Sequence, residues 1–282
     1  MSLGLNYKNE EPVFHETEGE TPCLSYRLFD ETGLVRHGFS TRLGGVSKGC
    51  YASLNLSFDR GDEREAVQEN FHRIGRTLGV RCEDMVLSKQ THTTNVRVVT
   101  EEDRGKGIVR ERDYTDVDGL VTNVPGLCLV TSYADCVPLF FVDPVRKVIG
   151  LSHSGWRGTV GKIGRKTVEL MGRQYGSRPE DILAAVGPSI CMDCYEVSED
   201  VAEQFRENFD RQWWQELFYQ KPDGKYQLNL WKANERIFLE AGIRREHIAV
   251  TNVCTRCNSR ILYSHRAMGD RRGNLCAFLA LK

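Results

Sequence analysis

The stretch CLVTSYADCVPLFFVDPVRKVIGLSHSGWRG, from Cys128 to Gly158, decides the fold. It holds three short apolar runs, CLVTSY, PLFFVD and KVIGLSH, parted by turn residues. Apolar runs of this length bounded by turn signals read as buried strands. Several strands here follow one another directly, with no helix between them. That favours a mixed-sheet α/β protein over a regular βαβ winding.

Working outward, a helix is expected from near Val160 to about Tyr175. LAAVG then reads as another buried strand, ended by GPSI. Helices follow near Ser198–Asn208 and Leu230–Ala241, and IAVTNV and CAFLALK close the chain as strands. Toward the N-terminus, MVLSKQTH and VRVVT read as strands. The polar stretch EEDRGKGIVRERDYTDVD after them reads as an exposed loop. Between Glu63 and Gly79, Val67, Phe71, Ile74 and Leu78 recur at helical spacing. RHGFSTRLGGVSKG, Arg36 to Gly49, encloses a glycine-rich turn. Residues 1–25 are expected to be a lead-in segment, and 26–282 a single catalytic domain. No fixed-period repeat, GxGxxG or GxxxxGK[ST] occurs, so neither a dinucleotide fingerprint nor a Walker loop is supported.

At 282 residues, the chain is long enough to bury a sizeable core. A net charge of −1 gives no global field to attract nucleic acid or an acidic membrane, though a local basic pocket for one anionic substrate is compatible with it. No apolar run approaches the ~20 residues that span a bilayer. The first residues, MSLGLNYKNEEPVF, do not have the pattern of a secretion signal. Ten scattered cysteines without such a signal point to reduced thiols and a cytoplasmic location.

His92, Cys136 and His153 each stand where an expected strand gives way to a loop, in SKQTH, ADC and LSHSG. Two imidazoles and a thiolate suit zinc and leave a fourth tetrahedral position for water or substrate. Asp135 is placed to orient a ligand or carry a proton. Spacing over some sixty positions does not separate this from three structural residues, because a single histidine or cysteine is more often structural. The pairs Cys191–Cys194 and Cys254–Cys257 compete for a metal. Four-cysteine zinc sites usually have their pairs about 15–20 residues apart, so separate buried thiols are the expected outcome, with a structural zinc as the alternative. Arg42, Arg157 and Arg266 lie beside glycine-rich backbone, where arginine can bind phosphate or carboxylate. For any one of them a solvated surface role is the simpler expectation.

The segments HGFSTRLGGVS with SLNLSF, KQTH, DVDGLVT, ADCVPLFFVDP, HSGWRGTV, VGPSICMDCYEV, NLWKAN and CTRCNSRILYSHR…RGNLCAFL occur in this order from residue 36 to the end. In that order they resemble the laccase-domain family, once called multicopper polyphenol oxidases. Its members are also described as purine nucleoside phosphorylases and, in bacteria, as peptidoglycan editing factors. The resemblance implies a single-domain α/β sandwich of mixed β-sheets flanked by helices. It implies zinc on His92, Cys136 and His153, with Arg42, Asn55, Gln90 and Arg266 lining a pocket. Three departures stand out. The loop between His92 and Cys136 is long, Asn229 replaces an expected aspartate, and Gly273–Asn274 stands where a glycine–arginine pair is expected.

The resemblance implies zinc-dependent purine nucleoside chemistry on a small-molecule substrate, with phosphate as co-substrate. That chemistry is phosphorolysis of adenosine, inosine, guanosine and methylthioadenosine, and deamination of adenosine, with Cys136, His153, His92 and Asp135 as catalytic candidates. The chain lacks the HxE…PCxxC deaminase signature. A second reading is hydrolysis of a wrongly incorporated amino acid from a nucleotide-linked cell-wall precursor. A third, copper oxidation of phenols, is disfavoured. Seven histidines with no HxH pair leave no histidine-rich cluster to reduce oxygen. A fourth is a non-catalytic binding module closed by another zinc ligand.

Overall fold

The computed structural model describes residues 3–282. Two six-stranded sheets stack face to face. The first holds β1 (Phe14–Thr17), β2 (Cys23–Tyr26), β3 (Val35–Ser40), β15 (Leu275–Leu281), β7 (Cys128–Tyr133) and β4 (Met85–Leu87), in that order. The second runs β14 (Ile248–Val250), β10 (Leu183–Val186), β8 (Val137–Asp143), β9 (Val148–Ser154), β6 (Gly119–Thr122) and β5 (Val96–Val98). A small third sheet orders β11 (Glu196–Val197), β13 (Tyr226–Leu228) and β12 (Phe218–Gln220). Both large sheets are mixed. Pairing is antiparallel except β4 with β7, β5 with β6, and β10 with β14.

The period-2 alternation of strands explains why the central runs are apolar throughout. In β15, Leu275, Ala277, Leu279 and Leu281 face the second sheet. Cys276, Phe278 and Ala280 face the helix Arg64–Leu78 through Val67, Phe71 and Ile74. In β8, Phe140 and Val142 point between the sheets, while Leu139 and Phe141 pack on the helices Ile163–Tyr175 and Leu230–Glu240. The layers are therefore helix, sheet, sheet, helix, and the central strands β7, β8, β9 and β15 are buried on both faces.

Within and at the end of the expected lead-in, residues 14–17 and 23–26 form β1, at the edge of the first sheet, and β2 beside it, with the tilted rings of Phe14 and Tyr26 4.8 Å apart. Two expectations are corrected. The helix expected from Val160 is two helices, Trp156–Val160 and Ile163–Tyr175, separated where Lys162 takes a left-handed φ of 56°. The polar stretch 101–118 is not simply exposed. Asp103 pairs with Lys106 within the stretch and with Arg97 of β5, while Ile108, Tyr114 and Val117 are buried in the core. Asn229 does cap its helix, its side-chain oxygen accepting the Lys232 amide at 3.1 Å. Among the described residues no helix is long and apolar enough to cross a membrane.

Candidate metal centre and its cavity

His92 follows β4, Cys136 lies in the turn between β7 and β8, and His153 is in β9. Because β7 ends against β4 while β8 and β9 pair in the facing sheet, these three positions meet at one rim of the sandwich. Their donor atoms all lie within 4.8 Å of one another. The rings of His92 and His153 are 4.9 Å apart and nearly perpendicular. Gly155 leaves the room for this. A Cβ there would stand 3.2 Å from both Cys136 Sγ and His92 Cδ2.

Asp118, which sequence reasoning did not single out, organises the site. Its fully buried carboxylate accepts from His153 Nδ1 at 2.8 Å. It also accepts the backbone amides of Thr91, His92 and Thr93 at 2.9, 3.1 and 3.0 Å. Those three bonds hold the turn at His92, whose φ is +64°, a left-handed conformation uncommon for residues other than glycine. With Nδ1 bonded to Asp118, His153 offers Nε2 toward Cys136. This is the carboxylate–histidine pairing that supports metal ligands elsewhere. The donor set, two imidazoles and a thiol with a carboxylate behind one of them, fits a single zinc ion with one open position.

Charge reinforces the geometry. Burial pushes the Cys136 thiol up, but the imidazole of His153, and then His92, bring it down to about 6. Burial likewise depresses His153, yet the Cys136 thiolate and Asp118 carry it up to about 9. Burial raises the Asp118 carboxyl, and its bonds from His153 and the amides outweigh that and hold it below the ordinary carboxylate range. In the metal-free chain, Cys136 and His153 thus form a thiolate–imidazolium pair near neutral pH.

The trio lines a cavity of about 290 Å³. Leu56, Phe58, Leu87 and Tyr133 supply apolar wall, and Arg60, Lys89, Arg112 and Arg272 supply positive charge. Asp59 is the single acidic side chain among the lining residues. It is bound to Lys89 at 2.8 Å, which holds its carboxyl low. Arg272 is buried, and burial followed by repulsion from Arg60 brings it down to about 10. The Nε atoms of Arg60 and Arg272 are buried with no hydrogen-bond partner among the described residues. The outer nitrogens have partners: Arg60 pairs with the Asp270 carboxylate at 3.6 Å, and Arg272 Nη1 donates to the Gly273 carbonyl at 3.1 Å and to Asn274 Oδ1.

The other expected residues divide. Gln90 lines the cavity, but its amide is spent on the backbone of Ser132, accepting its N–H at 2.7 Å and donating to its carbonyl at 2.8 Å. Arg42 does not reach the cavity. It donates to the carbonyls of Ala52 and Ser259 and lies 4.7 Å over the Tyr263 ring. Asn55 is fully buried behind the wall, accepting the Asn274 amide at 3.0 Å and so fixing the loop that carries Arg272. Arg266 turns outward to the Glu196 carbonyl and the Tyr195 ring. Arg157 is exposed and lies over Trp156. The Asp135 carboxylate is taken up by Thr255 Oγ1 at 2.6 Å and the Arg266 amide at 2.7 Å. It positions loops and does not face the trio's donors. Arg60, Arg112 and Arg272 are the functional candidates the sequence did not reveal.

The chain is thus a mixed two-sheet sandwich with a His₂Cys donor set that could hold a metal ion at its rim, beside a charged cavity. The chain belongs to the family described as multi-copper polyphenol oxidoreductase laccase, which matches residues 36–282. It is 36% identical over 252 residues to purine nucleoside phosphorylase YlmD of Bacillus subtilis, covering 87% of this chain and 88% of that one. It is 36% identical over 239 residues to adenosine deaminase RL5 from an unknown prokaryotic organism, covering 83% and 90%. The crystal structure of Bacillus licheniformis hypothetical protein YfiH matches it with a TM-score of 0.90 at 33% identity, over 96% of this chain and all of that one.

Proposed function

We propose that this chain is a zinc-dependent purine nucleoside-processing enzyme, cleaving adenosine, inosine, guanosine and methylthioadenosine with phosphate and deaminating adenosine. One observation carries the reading. A single cavity joins the His92–Cys136–His153 donors to Arg60 and Arg272, two arginines with unpartnered buried Nε atoms. A metal site and cationic side chains for phosphate are what these two reactions require between them. Relatives named purine nucleoside phosphorylase and adenosine deaminase support it.

Zinc held by the trio supplies Lewis acidity. The chain's own residues do the rest. Asp118 keeps the proton of His153 on Nδ1, so that Nε2 presents its lone pair. Arg272 and Arg60 bind phosphate and orient it, by charge-assisted hydrogen bonds in a partly dry site. Leu56, Phe58 and Leu87 offer the purine an apolar wall that keeps water from the cleaved bond. Deamination needs no phosphate, so it depends on the trio and not on the arginines.

The test incubates metal-quantified protein with adenosine, with and without phosphate, and follows products by mass spectrometry. Adenine and ribose phosphate are expected only with phosphate, and inosine in both cases. Cys136→Ala should lose both activities. Absence of turnover of every nucleoside, with Cys136→Ala indistinguishable from the wild type, would refute the reading.

A further inference from the structure

The two CxxC pairs, expected as separate thiols, converge. Strands β10 and β14 run parallel side by side, so the loops leaving their C-terminal ends emerge together. One loop carries Cys191 and Cys194, the other Cys254 and Cys257. The pairing continues past the strands through a bridge between Ser189 and Cys254 and a Thr255 amide bond to the Ser189 carbonyl at 3.1 Å. The four Sγ atoms all lie within 4.8 Å of one another, and Cys194 and Cys257 are 3.6 Å apart. No disulfide joins them. A tetrahedral zinc with Zn–S bonds of about 2.3 Å sets its sulfurs about 3.8 Å apart, so the cluster needs only small adjustments to close on an ion.

The surroundings favour thiolates. Cys254 Sγ accepts the backbone amides of Cys191 at 3.3 Å and Cys257 at 3.5 Å, and Arg256 Nη1 donates to Cys194 Sγ at 3.5 Å. The lysine ammonium of Lys8 stands at the rim, 3.1 Å from Asp193. Four thiolates around a divalent ion keep excess negative charge, which these donors offset.

We infer that Cys191, Cys194, Cys254 and Cys257 bind a structural zinc ion, separate from the ion of the His92–Cys136–His153 trio. Four protein sulfurs close the coordination sphere, so this site takes no substrate. Its place gives it a positioning role. Thr255, next to Cys254, donates to the Asp135 carboxylate, and the Ile190 amide, next to Cys191, donates to the Asp135 carbonyl at 3.0 Å. Asp135 adopts φ +88° and immediately precedes Cys136. The clasp therefore fixes the turn that presents the trio's thiolate. It also anchors the N-terminal segment, since Asn258 exchanges hydrogen bonds with Asn6 at 2.6 and 3.1 Å.

The test uses the full chain purified with zinc supplied. Elemental analysis of the Cys194→Ser/Cys257→Ser variant should show one zinc per chain fewer than the wild type, whatever the trio binds. Since that variant can misfold, the wild type is also alkylated and mapped by peptide. The four cysteines should react at least tenfold faster after a strong chelator has stripped the metal. Unchanged zinc content in the variant, or equal alkylation with and without chelator, would overturn the inference. So would an intact mass showing a disulfide within the cluster. None of these readouts involves nucleoside turnover, so they are decided independently of the proposed activity.

Discussion

At the residue scale, Asp118 does more than any metal donor to define the site, because one carboxylate fixes both His153 and the turn at His92. Asp118→Asn keeps the shape but loses the charge and reverses one hydrogen-bonding group. Zinc affinity of the trio should fall about 10–100-fold, measured by competition with a chromophoric chelator. An unchanged affinity would mean that the turn is held by other contacts. The thiolate–imidazolium pair gives a second expectation. Below about 6 the Cys136 thiol is protonated, and above that it is a thiolate as long as His153 keeps its proton, up to about 9. In metal-free protein, alkylation at Cys136 should therefore rise with a midpoint near 6, well below the ordinary thiol value of about 8.5. Peptide-resolved mass spectrometry measures this, and a midpoint near 8.5 would contradict the pairing. Strand ends and residue type brought Cys136 and His153 forward, but only the family resemblance set them apart from structural residues. Asp118 was not, because one aspartate in TDVDG looks like its neighbour Asp116 until the fold shows which is buried.

At the scale of elements, the central strands were readable because burial on both faces leaves no polar alternation to confuse the pattern. β1 and β2 were not, since four residues each, in FHET and CLSY, are too few to show a period. The stretch 101–118 misled for another reason. Composition reports that it is charged, but only packing shows that Asp103 pairs with Lys106 and with Arg97 of β5. The joint between β2 and β3 contains a titrating contact of its own. His37 is buried, and its Nε2 accepts the Tyr26 amide at 2.7 Å, which requires the neutral ring. Burial, above all, lowers its pKa to about 4. Between about 6.5 and about 4 the unfolded chain binds this proton and the folded one does not, so stability falls as pH drops through that window. His37→Gln keeps an acceptor for the amide without a titrating group. Its melting temperature should fall less between pH 7 and pH 5 than that of the wild type. Parallel losses in the two proteins would show that His37 does not contribute to the acid sensitivity.

At the scale of the molecule, stacking two mixed sheets brings the β4–β7 end of one against the β8–β9 hairpin of the other, and the cavity lies where they meet. Its arginines come from distant segments, Arg60 before the helix Arg64–Leu78, Arg112 from the charged loop, and Arg272 just before β15. No local pattern announces such a set. Arg271 and Arg272 are adjacent and identical in sequence, yet one is exposed and the other buried in the cavity wall. The central claim is that one cavity holds two separable functions, a metal site that acts on the nucleoside and arginines that bind phosphate. The most direct measurement compares both reactions in Arg272→Gln. Losing a charge-assisted contact of about 1.5–3 kcal/mol should raise the KM for phosphate about 10–100-fold. Phosphate-independent deamination of adenosine should stay within about twofold of the wild type. Equal losses in both reactions, or an unchanged KM for phosphate, would contradict the division of the cavity.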